Sequence, residues 1–525
     1  MCGFVFSNDV GVKKKTFLNS LELISKRGPD NLSIKYLSNA ILGFARLAIV
    51  DLTNNANQPF IKNNLHLICN GEIYNSKDLR SQFKYDYVSG SDCEVLIPLF
   101  QKLHKKDFLN KLDGEFAFVI YDSDDDKVFA ARDAMGIRPL FYGYTRDGRI
   151  SFASEVKALQ QFCRDIKPFP PGHYYYDGEI LSYKDLSYVS EYVNDSVEDI
   201  GKNIKNLLCE AVKKRLNSDA PVGFLLSGGI DSSLVCAIAQ KYSSKPIKTF
   251  AVGMSEDAID LKYAKEVADF IGSDHTEILI NKKEVLSSIS EVIRTLESFD
   301  ITTVRASIGM YLICKKIKEL SNVKVLLTGE VSDEIFGYKY TDFAPDAKAF
   351  QIEASKRVKE LYQYDVLRAD RCISSNSLEA RVPFSDTKFV EYVMSINPEK
   401  KLNKYEHGKY LLRMAFDDGS FLPNSILYRE KAAFSDAVGH SMVDYIKEYV
   451  DKIYTDEEFN FLKNKYVNST PFTKESLFYR EVFEEYYPQM SYLIPGFWMP
   501  NKEWDNCDVD DPSARVLPNY GLSGS

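Results

Sequence analysis

The stretch Phe224-Leu225-Leu226-Ser227-Gly228-Gly229-Ile230-Asp231-Ser232-Ser233 decides the fold of the second half of the chain. The apolar run 222–226 predicts a buried strand and Ser227-Gly228-Gly229 a turn. Asp231-Ser232-Ser233 opens a helix whose apolar side continues through Leu234, Val235, Ala237 and Ile238. Strand, glycine turn and helix N-terminus in succession make an anion site: free N–H groups point outward, the dipole favours negative charge, and glycine lets a phosphate approach closely. No Gly-Lys-[Ser/Thr] follows, so this is not a Walker loop. Phosphate must then be held by N–H and hydroxyl donors, and Asp231 suggests a bridging cation. Taken singly, the same residues also describe an ordinary strand–helix turn with Ser and Asp as caps.

Downstream of this loop, strands and helices alternate. Strands are predicted over 249–252, 276–280 and 323–327, and helices over 262–271 (stopped by Gly272), 284–296 and 305–320. Such alternation predicts a doubly wound parallel α/β sheet, whose ligands bind beyond the carboxyl ends of the strands. Thr328-Gly329-Glu330-Val331-Ser332-Asp333-Glu334 falls at one such end. By itself it reads as a capped helix start with acidic dipole partners. Beside the opening loop, it places Asp231 and Asp333 at neighbouring strand ends, suited to sharing Mg²⁺ with phosphate oxygens.

Length and composition set the frame. The chain has 525 residues, enough for two or three domains, with a net charge of −9 and a sequence pI near 5.5. That balance argues against a broad nucleic-acid or membrane surface. No apolar window reaches the ~18 residues of a membrane span. The nine cysteines are scattered, without Cys-x-x-Cys, which points to a reducing, cytoplasmic setting and away from structural zinc.

The first half reads differently. Cys2 follows the initiator Met and precedes Gly3. Removal of Met1 would set the Cys2 thiol beside a free α-amine with an unperturbed pKa of about 7.7–8.0, so one residue would supply nucleophile and base. Strands are predicted over 41–50, around Arg46, and over 65–69. An amphipathic helix carries Val95, Leu96, Leu99 and Leu103, and a hairpin joins 115–121 to 128–132. Stacked antiparallel sheets with helical cover follow. Near residue 190 the pattern changes to helix, with Ile200, Ile204, Leu207, Leu208, Ala211 and Leu216 in register, so the domains are expected to be 1–190 and 191–525. The Pro-, Gly- and Asp-rich segment from 495 onward is expected to be a flexible, poorly ordered tail.

Cys2-Gly3, Lys26-Arg27-Gly28-Pro29-Asp30, Arg46-Leu47-Ala48-Ile49-Val50-Asp51, Asn70-Gly71-Glu72-Ile73-Tyr74-Asn75 and Gly90-Ser91-Asp92 together resemble the class II glutamine amidotransferase domain. That resemblance implies an N-terminal-nucleophile αββα sandwich in which the thiolate forms a glutamyl thioester and releases ammonia. Arg46 would pair with the glutamine α-carboxylate, and Asp92 would hold its α-ammonium. Asn70 and the Gly71 N–H would form the oxyanion hole, Glu72 would contact the amine, and Leu47, Ala48, Ile49 and Val50 would line the glutamine site. Lys26 and Ala48 depart from the family's usual His and Ser.

The Ser227–Ser233 loop resembles the pyrophosphate loop of the N-type ATP pyrophosphatases. Together with Gly329-Glu330-Val331-Ser332-Asp333-Glu334, Glu379-Ala380-Arg381-Val382-Pro383-Phe384, Arg429-Glu430-Lys431 and Asp510-Asp511-Pro512-Ser513, it resembles the glutamine-hydrolysing asparagine synthetase family over nearly the whole chain. The resemblance implies ATP, aspartate and glutamine as substrates, Mg²⁺ as cofactor, a β-aspartyl-AMP intermediate, internal ammonia transfer and a homodimer. ATP would contact Leu225, Ser227, Gly228, Gly229, Asp231, Ser232, Val252, Thr328 and Gly329. Asp231 and Asp333 would hold the metal, Glu330 and Lys431 would act in catalysis, and Thr302, Thr303 and Arg305 would lie near aspartate. Val331 stands where glycine is typical, and Phe336-Gly337-Tyr338 is one glycine short. This keeps a ligase with another carboxylate acceptor open as an alternative. An inactive nucleotide-binding scaffold is disfavoured by the retained Cys2, Asp231, Glu330, Asp333 and Lys431.

Overall fold

The alternation after residue 220 folds into five parallel strands. Counted along the chain, their order across the sheet is 3-2-1-4-5: Asp274–Leu279, Lys248–Gly253, Val222–Leu225, Val325–Leu327 and Glu379–Arg381. This is a computed structural model, and it describes residues 1–254, 258–403, 407–430 and 440–520. The order reverses between Val222–Leu225 and Val325–Leu327, so the ligand crevice of a doubly wound sheet is expected between these two strands. Their carboxyl ends carry Ser227 and Thr328. Phe224 and Val325 to Leu327 are buried, as strands covered on both faces require. Helix Ile259–Ile271 ends at Gly272, which adopts φ +70 as the left-handed cap.

The first 182 residues hold two six-stranded antiparallel sheets. In the first, Gly3–Ser7 lies between Ile150–Ala153 and Ile41–Arg46. In the second, Leu65–Ile73 pairs with Gly114–Asp122, which forms the expected hairpin with Lys127–Arg132. Phe4, Phe6, Phe44 and Phe152 of one sheet pack on Ile68, Val119, Tyr121 and Ala130 of the other. Helices Lys14–Glu22 and Val156–Leu159 cover the first outer face. Leu96–Lys102 and Lys105–Asn110 cover the second. The result is an αββα sandwich. The strand expected to end at Cys69 continues to Ile73, so Asn70, Gly71 and Glu72 are held by a sheet ladder rather than by a loop.

The two halves share buried surface. Leu47, Ile49, Met135 and Ile137 belong to one apolar cluster with Ile200, Phe224 and Leu327. Buried ion pairs cross the junction at Arg27–Asp370 (2.8 Å), Arg215–Glu115 (2.9 Å) and Arg381–Glu72 (3.1 Å). A charge this deeply buried is tolerated only when paired, so these contacts fix one relative placement of the halves.

The expectation of disorder from residue 495 is corrected for 495–520. Trp504, Cys507 and Leu517 cluster on Tyr340, and Trp498 packs against the same ring. The Trp498 N–H donates to Asp300 (2.6 Å), and Arg357 donates to the Met499 carbonyl (2.6 Å). Composition misleads here because a few large side chains anchor a polar segment.

Candidate active sites

At the N-terminal site the half-buried Cys2 lies against backbone. The Leu47 N–H points at its Sγ (3.4 Å), and the Cys2 carbonyl accepts from Arg27 Nε (2.8 Å). Burial, the largest cause, pushes the thiol up to about 11, so it rests protonated and needs a base. Met1 is buried and its ammonium donates to the Leu378 carbonyl (2.7 Å). Burial pulls this ammonium down to about 5 against the raising influence of Glu379.

Several of the expected glutamine-site residues have fitting surroundings. Arg46 donates to the Thr53 carbonyl (2.7 Å), to Asn57 (2.8 Å) and to the Asp51 carbonyl, all of them neutral groups, which leaves its charge for a carboxylate. Ala48 N–H is anchored by Asp30 (2.8 Å), and the side chains of Leu47 and Ile49 are buried while Val50 is half-buried. The Nδ2 of Asn70 is buried with no acceptor among the described residues, as an oxyanion donor waiting for charge should be. A side chain at Gly71 would meet the Glu115 carbonyl at 2.6 Å, so only glycine fits. Asp92 accepts from the Ile73 N–H (2.6 Å), and burial pushes its carboxyl up to about 6. Glu72 Oε2 pairs with Arg381 across the domain junction (3.1 Å).

The second site is a cavity of about 550 Å³, within the range of small-molecule pockets. It sits at the switch point of the parallel sheet, lined by both expected loops. Leu225, Phe250, Val252, Met310 and Ile313 form an apolar end. Ser227 and Ser232 share a hydrogen bond (3.0 Å), and the helix Ile230–Tyr242 starts with Asp231 in its first turn. Gly228 adopts φ +69, where a side chain would collide with Tyr263. A side chain at Gly329 would meet the Ser232 backbone N at 2.8 Å, so the two loops touch only because this residue is glycine. Thr328 Oγ1 is buried without a partner among the described residues.

Between the loops stands a residue the sequence did not single out. Lys409 Nζ lies 2.8 Å from both Asp231 oxygens, 2.6 Å from Asp333 Oδ1 and 3.1 Å from Ser332 Oγ. Its backbone is left-handed at φ +58. The ammonium occupies the point where a cation shared by Asp231 and Asp333 was expected. The carboxylates are hard oxygen donors of the kind Mg²⁺ takes. Among the described residues, however, no group of three His, Cys, Asp or Glu side chains assembles a metal site alone. The donor set therefore fits a Mg²⁺ that arrives with phosphate oxygens, not one caged by protein.

The acidic side of the cavity holds Glu330, 3.5 Å from Arg368, which also pairs with Asp365 (2.9 Å). Glu330 Oε2 and Arg368 Nε are both buried without hydrogen-bond partners among the described residues. Burial pushes the Glu334 carboxyl well up, reinforced by Asp365 and Asp333. The aspartate candidates Thr302, Thr303 and Arg305 all line the cavity. The hydroxyls of Thr302 and Thr303 donate to Asp300 (2.6 and 2.7 Å), the cap of helix Ile301–Leu320. Arg305 is engaged by Glu475 (2.6 Å) and Asp511 (2.9 Å). Arg368, one turn into helix Asp365–Ser374, also lines the cavity; its sequence signal was only an arginine in a mixed-charge helix. Lys431 lies outside the described residues.

Val331 takes the backbone that glycine would take, with φ +82 at the cap of helix Ser332–Phe336, and its side chain is 1% exposed. The departure from glycine therefore leaves the loop in the left-handed conformation.

A nucleophile under an antiparallel sandwich, joined to a nucleotide-type crevice on a parallel sheet, defines a glutamine-dependent amidotransferase built from two catalytic units. Residues 1–181 match the glutamine amidotransferase domain, and 203–356 with 342–502 match asparagine synthase. The chain is 39% identical to the asparagine synthetase B [glutamine-hydrolyzing] of Escherichia coli (98% of this chain, 97% of that protein). It is also 39% identical to a probable asparagine synthetase [glutamine-hydrolyzing] of Acanthamoeba polyphaga mimivirus (99% and 100%) and to the asparagine synthetase [glutamine-hydrolyzing] of Homo sapiens (95% and 95%). The chain belongs to the asparagine synthase family, with an amino-terminal glutamine amidotransferase domain.

Proposed function

We infer that the protein makes asparagine from aspartate and ATP with the amide nitrogen of glutamine, releasing glutamate, AMP and pyrophosphate. The observation that carries this reading is the coexistence, in one fold, of a half-buried Cys2 beside an unpartnered Asn70 donor and a phosphate crevice in which Glu330 Oε2 has no partner among the described residues.

At the first site Arg46 and Asp92 orient glutamine by its α-groups. Once Met1 is removed, the Cys2 amine takes the thiol proton and the thiolate attacks the side-chain amide. Asn70 Nδ2 and the Gly71 N–H stabilise the oxyanion, and ammonia leaves as the thioester forms. At the second, the apolar end around Leu225 and Val252 receives the adenine, and the Ser227–Ser232 loop with Thr328 and Gly329 receives the phosphates. The aspartate β-carboxylate attacks the α-phosphorus, giving an acyl-adenylate. Lys409 neutralises the departing pyrophosphate and Arg368 orients the acceptor, so the catalysis is positioning and charge stabilisation. Asp231 and Asp333 would hold Mg²⁺, which screens polyphosphate charge when bound. Glu330 Oε2 is placed to take a proton from the attacking ammonia. Glu72, Arg381 and the Thr328 N–H, which donates to the Arg381 carbonyl (3.1 Å), form a short buried connection between the sites. Transfer of ammonia inside the protein avoids its loss as ammonium to water.

We also place the protein in the cytoplasm, supported by nine free thiols, and as a homodimer. No helix among the described residues is long and apolar enough to cross a membrane. The left-handed backbone at Val331 removes the main ground for another acceptor. The test uses Cys2→Ala. It should make no asparagine from glutamine, yet should make asparagine, AMP and pyrophosphate from added ammonium. If ammonium cannot support synthesis, the two-site scheme fails; if the unaltered chain yields glutamate but no asparagine, the acceptor is wrong.

A further inference from the structure

Helix Ile301–Leu320 buries an arginine that the chemistry above does not use. Arg305 is 3% exposed and grips two acids from distant parts of the chain, Glu475 through Nε (2.8 Å) and Nη2 (2.6 Å), and Asp511 through Nη1 (2.9 Å) and Nη2 (3.1 Å). Asp511 takes a second cation, Lys447 (2.8 Å). Burial alone would raise the Asp511 carboxyl, but the bonds and charge of Arg305 hold it below the usual carboxylate range. Eight residues on, a second anchor forms. Asn519 Nδ2 donates to the Lys339 carbonyl (2.7 Å) and to Asp342 (3.0 Å), and Lys339 Nζ reaches back to the Asn519 carbonyl (3.3 Å). Leu517 is pressed into the aromatic cluster with Tyr340 and Trp504. Between these anchors, Pro512, Ser513 and Ala514 are buried, and they line the same cavity as Glu330, Asp333 and Arg368. The Oδ1 of Asn519, another lining residue, is buried with no partner among the described residues.

A buried ion cluster costs several kcal/mol of desolvation unless well satisfied. Its placement in the cavity wall gives the cost a purpose. We propose that residues 511–520 are a working part of the acyl-adenylate site, a wall that keeps water from the activated carboxylate, and that Arg305 and Asp511 are the positioning pair that sets it. This rests on the reading of the site as an asparagine-forming one. The competing step is defined chemically. Water attacks the acyl carbon in place of ammonia, the bond to the AMP oxygen breaks, and aspartate, AMP and a proton are released. The net loss is ATP consumed to AMP and pyrophosphate without asparagine.

The experiment compares Asp511→Ala and Asp511→Glu with the unaltered chain, supplied with glutamine, Mg-ATP and aspartate, and measures AMP and asparagine in the same samples. The unaltered chain should form them in equal amounts. Asp511→Ala should keep forming AMP while the AMP-to-asparagine ratio rises at least about twofold, and Asp511→Glu should restore much of the equality. A merely structural role would lower both products together and leave the ratio at one. Equal AMP and asparagine from a folded Asp511→Ala overturns the proposal. Hydrogen exchange on the unaltered chain gives an independent reading: the amides of 513–517, 519 and 520 should gain protection when ATP and aspartate are added, and unchanged exchange there overturns it as well. If the unaltered chain forms no asparagine at all, it is the functional reading that fails, and the ratio does not arise.

Discussion

Val331 should behave as a residue caught between two opposed demands. Its backbone sits at φ +82, where a residue with a Cβ pays roughly 1–2 kcal/mol relative to glycine, more when β-branched. Its side chain is 1% exposed, within the core cluster that includes Ile335 and Phe336. Val331→Ala removes two buried methyls, about 1.6 kcal/mol at about 0.8 per carbon, with a further increment for the cavity. Val331→Gly removes one carbon more, about 0.8 kcal/mol, and loosens the unfolded chain by about 0.5–1. At an ordinary backbone, glycine would thus fall about 1.5 kcal/mol below alanine. Relief of the left-handed strain returns about that amount. The two variants should therefore be equally stable to within about 0.5 kcal/mol, both about 2 below the unaltered chain. Urea denaturation followed by tryptophan fluorescence reads this half selectively, because both tryptophans, Trp498 and Trp504, pack on Tyr340. Glycine falling a full ~1.5 kcal/mol below alanine would refute the reasoning, since it would mean that position 331 carries no backbone strain.

Other outcomes follow from the two sites. Lys409→Ala should lower AMP formation by about 10²–10³ while leaving glutamate release from glutamine largely intact, because the lysine serves only the phosphate crevice; an equal loss of both activities would contradict that assignment. kcat/KM for glutamine should fall as pH drops below about 6, the level to which burial raises Asp92, since only its carboxylate can hold the substrate ammonium. A flat profile between pH 5 and pH 7 would count against that role. For stability the sign is the reverse of a salt-bridged acid: Asp92 keeps its proton in the folded state, so its contribution is lost as pH rises from about 4 through 6. Arg381→Met should destabilise the junction by about 3–5 kcal/mol by stranding buried carboxylates, whereas Arg381→Met with Glu72→Gln should recover part of that, as measured by thermal unfolding.

Much of this was legible in the sequence because it is local. The Ser227–Ser233 loop carries its strand, turn and helix start within ten residues, and the parallel sheet follows from the alternation after it. Asp231 and Asp333 could be brought together from topology, since strand ends in such a sheet share one edge. Lys409 could not, because nothing distinguishes a lysine 178 residues from its carboxylate partner from a solvated one. Arg305, at a helix start beside two threonines, lines the cavity, but its ion-pair partners come from residues 475 and 511, which no local pattern announces. The Glu72–Arg381 pair was not legible either, since its two members lie in opposite halves of the chain. The packing of 495–520 escaped notice because it depends on single large residues meeting Tyr340, which composition averages away.

The central claim is that one chain releases ammonia at Cys2 and consumes it in the crevice flanked by Asp231 and Glu330. Glutamine labelled with ¹⁵N in its side-chain amide, supplied with Mg-ATP, aspartate and a large excess of unlabelled ammonium at neutral pH, tests it most directly. Mass analysis of the asparagine formed should show the label far above the share expected from mixing with the bulk ammonium. Label at only that diluted share, or asparagine carrying none, would contradict the coupling of the two sites.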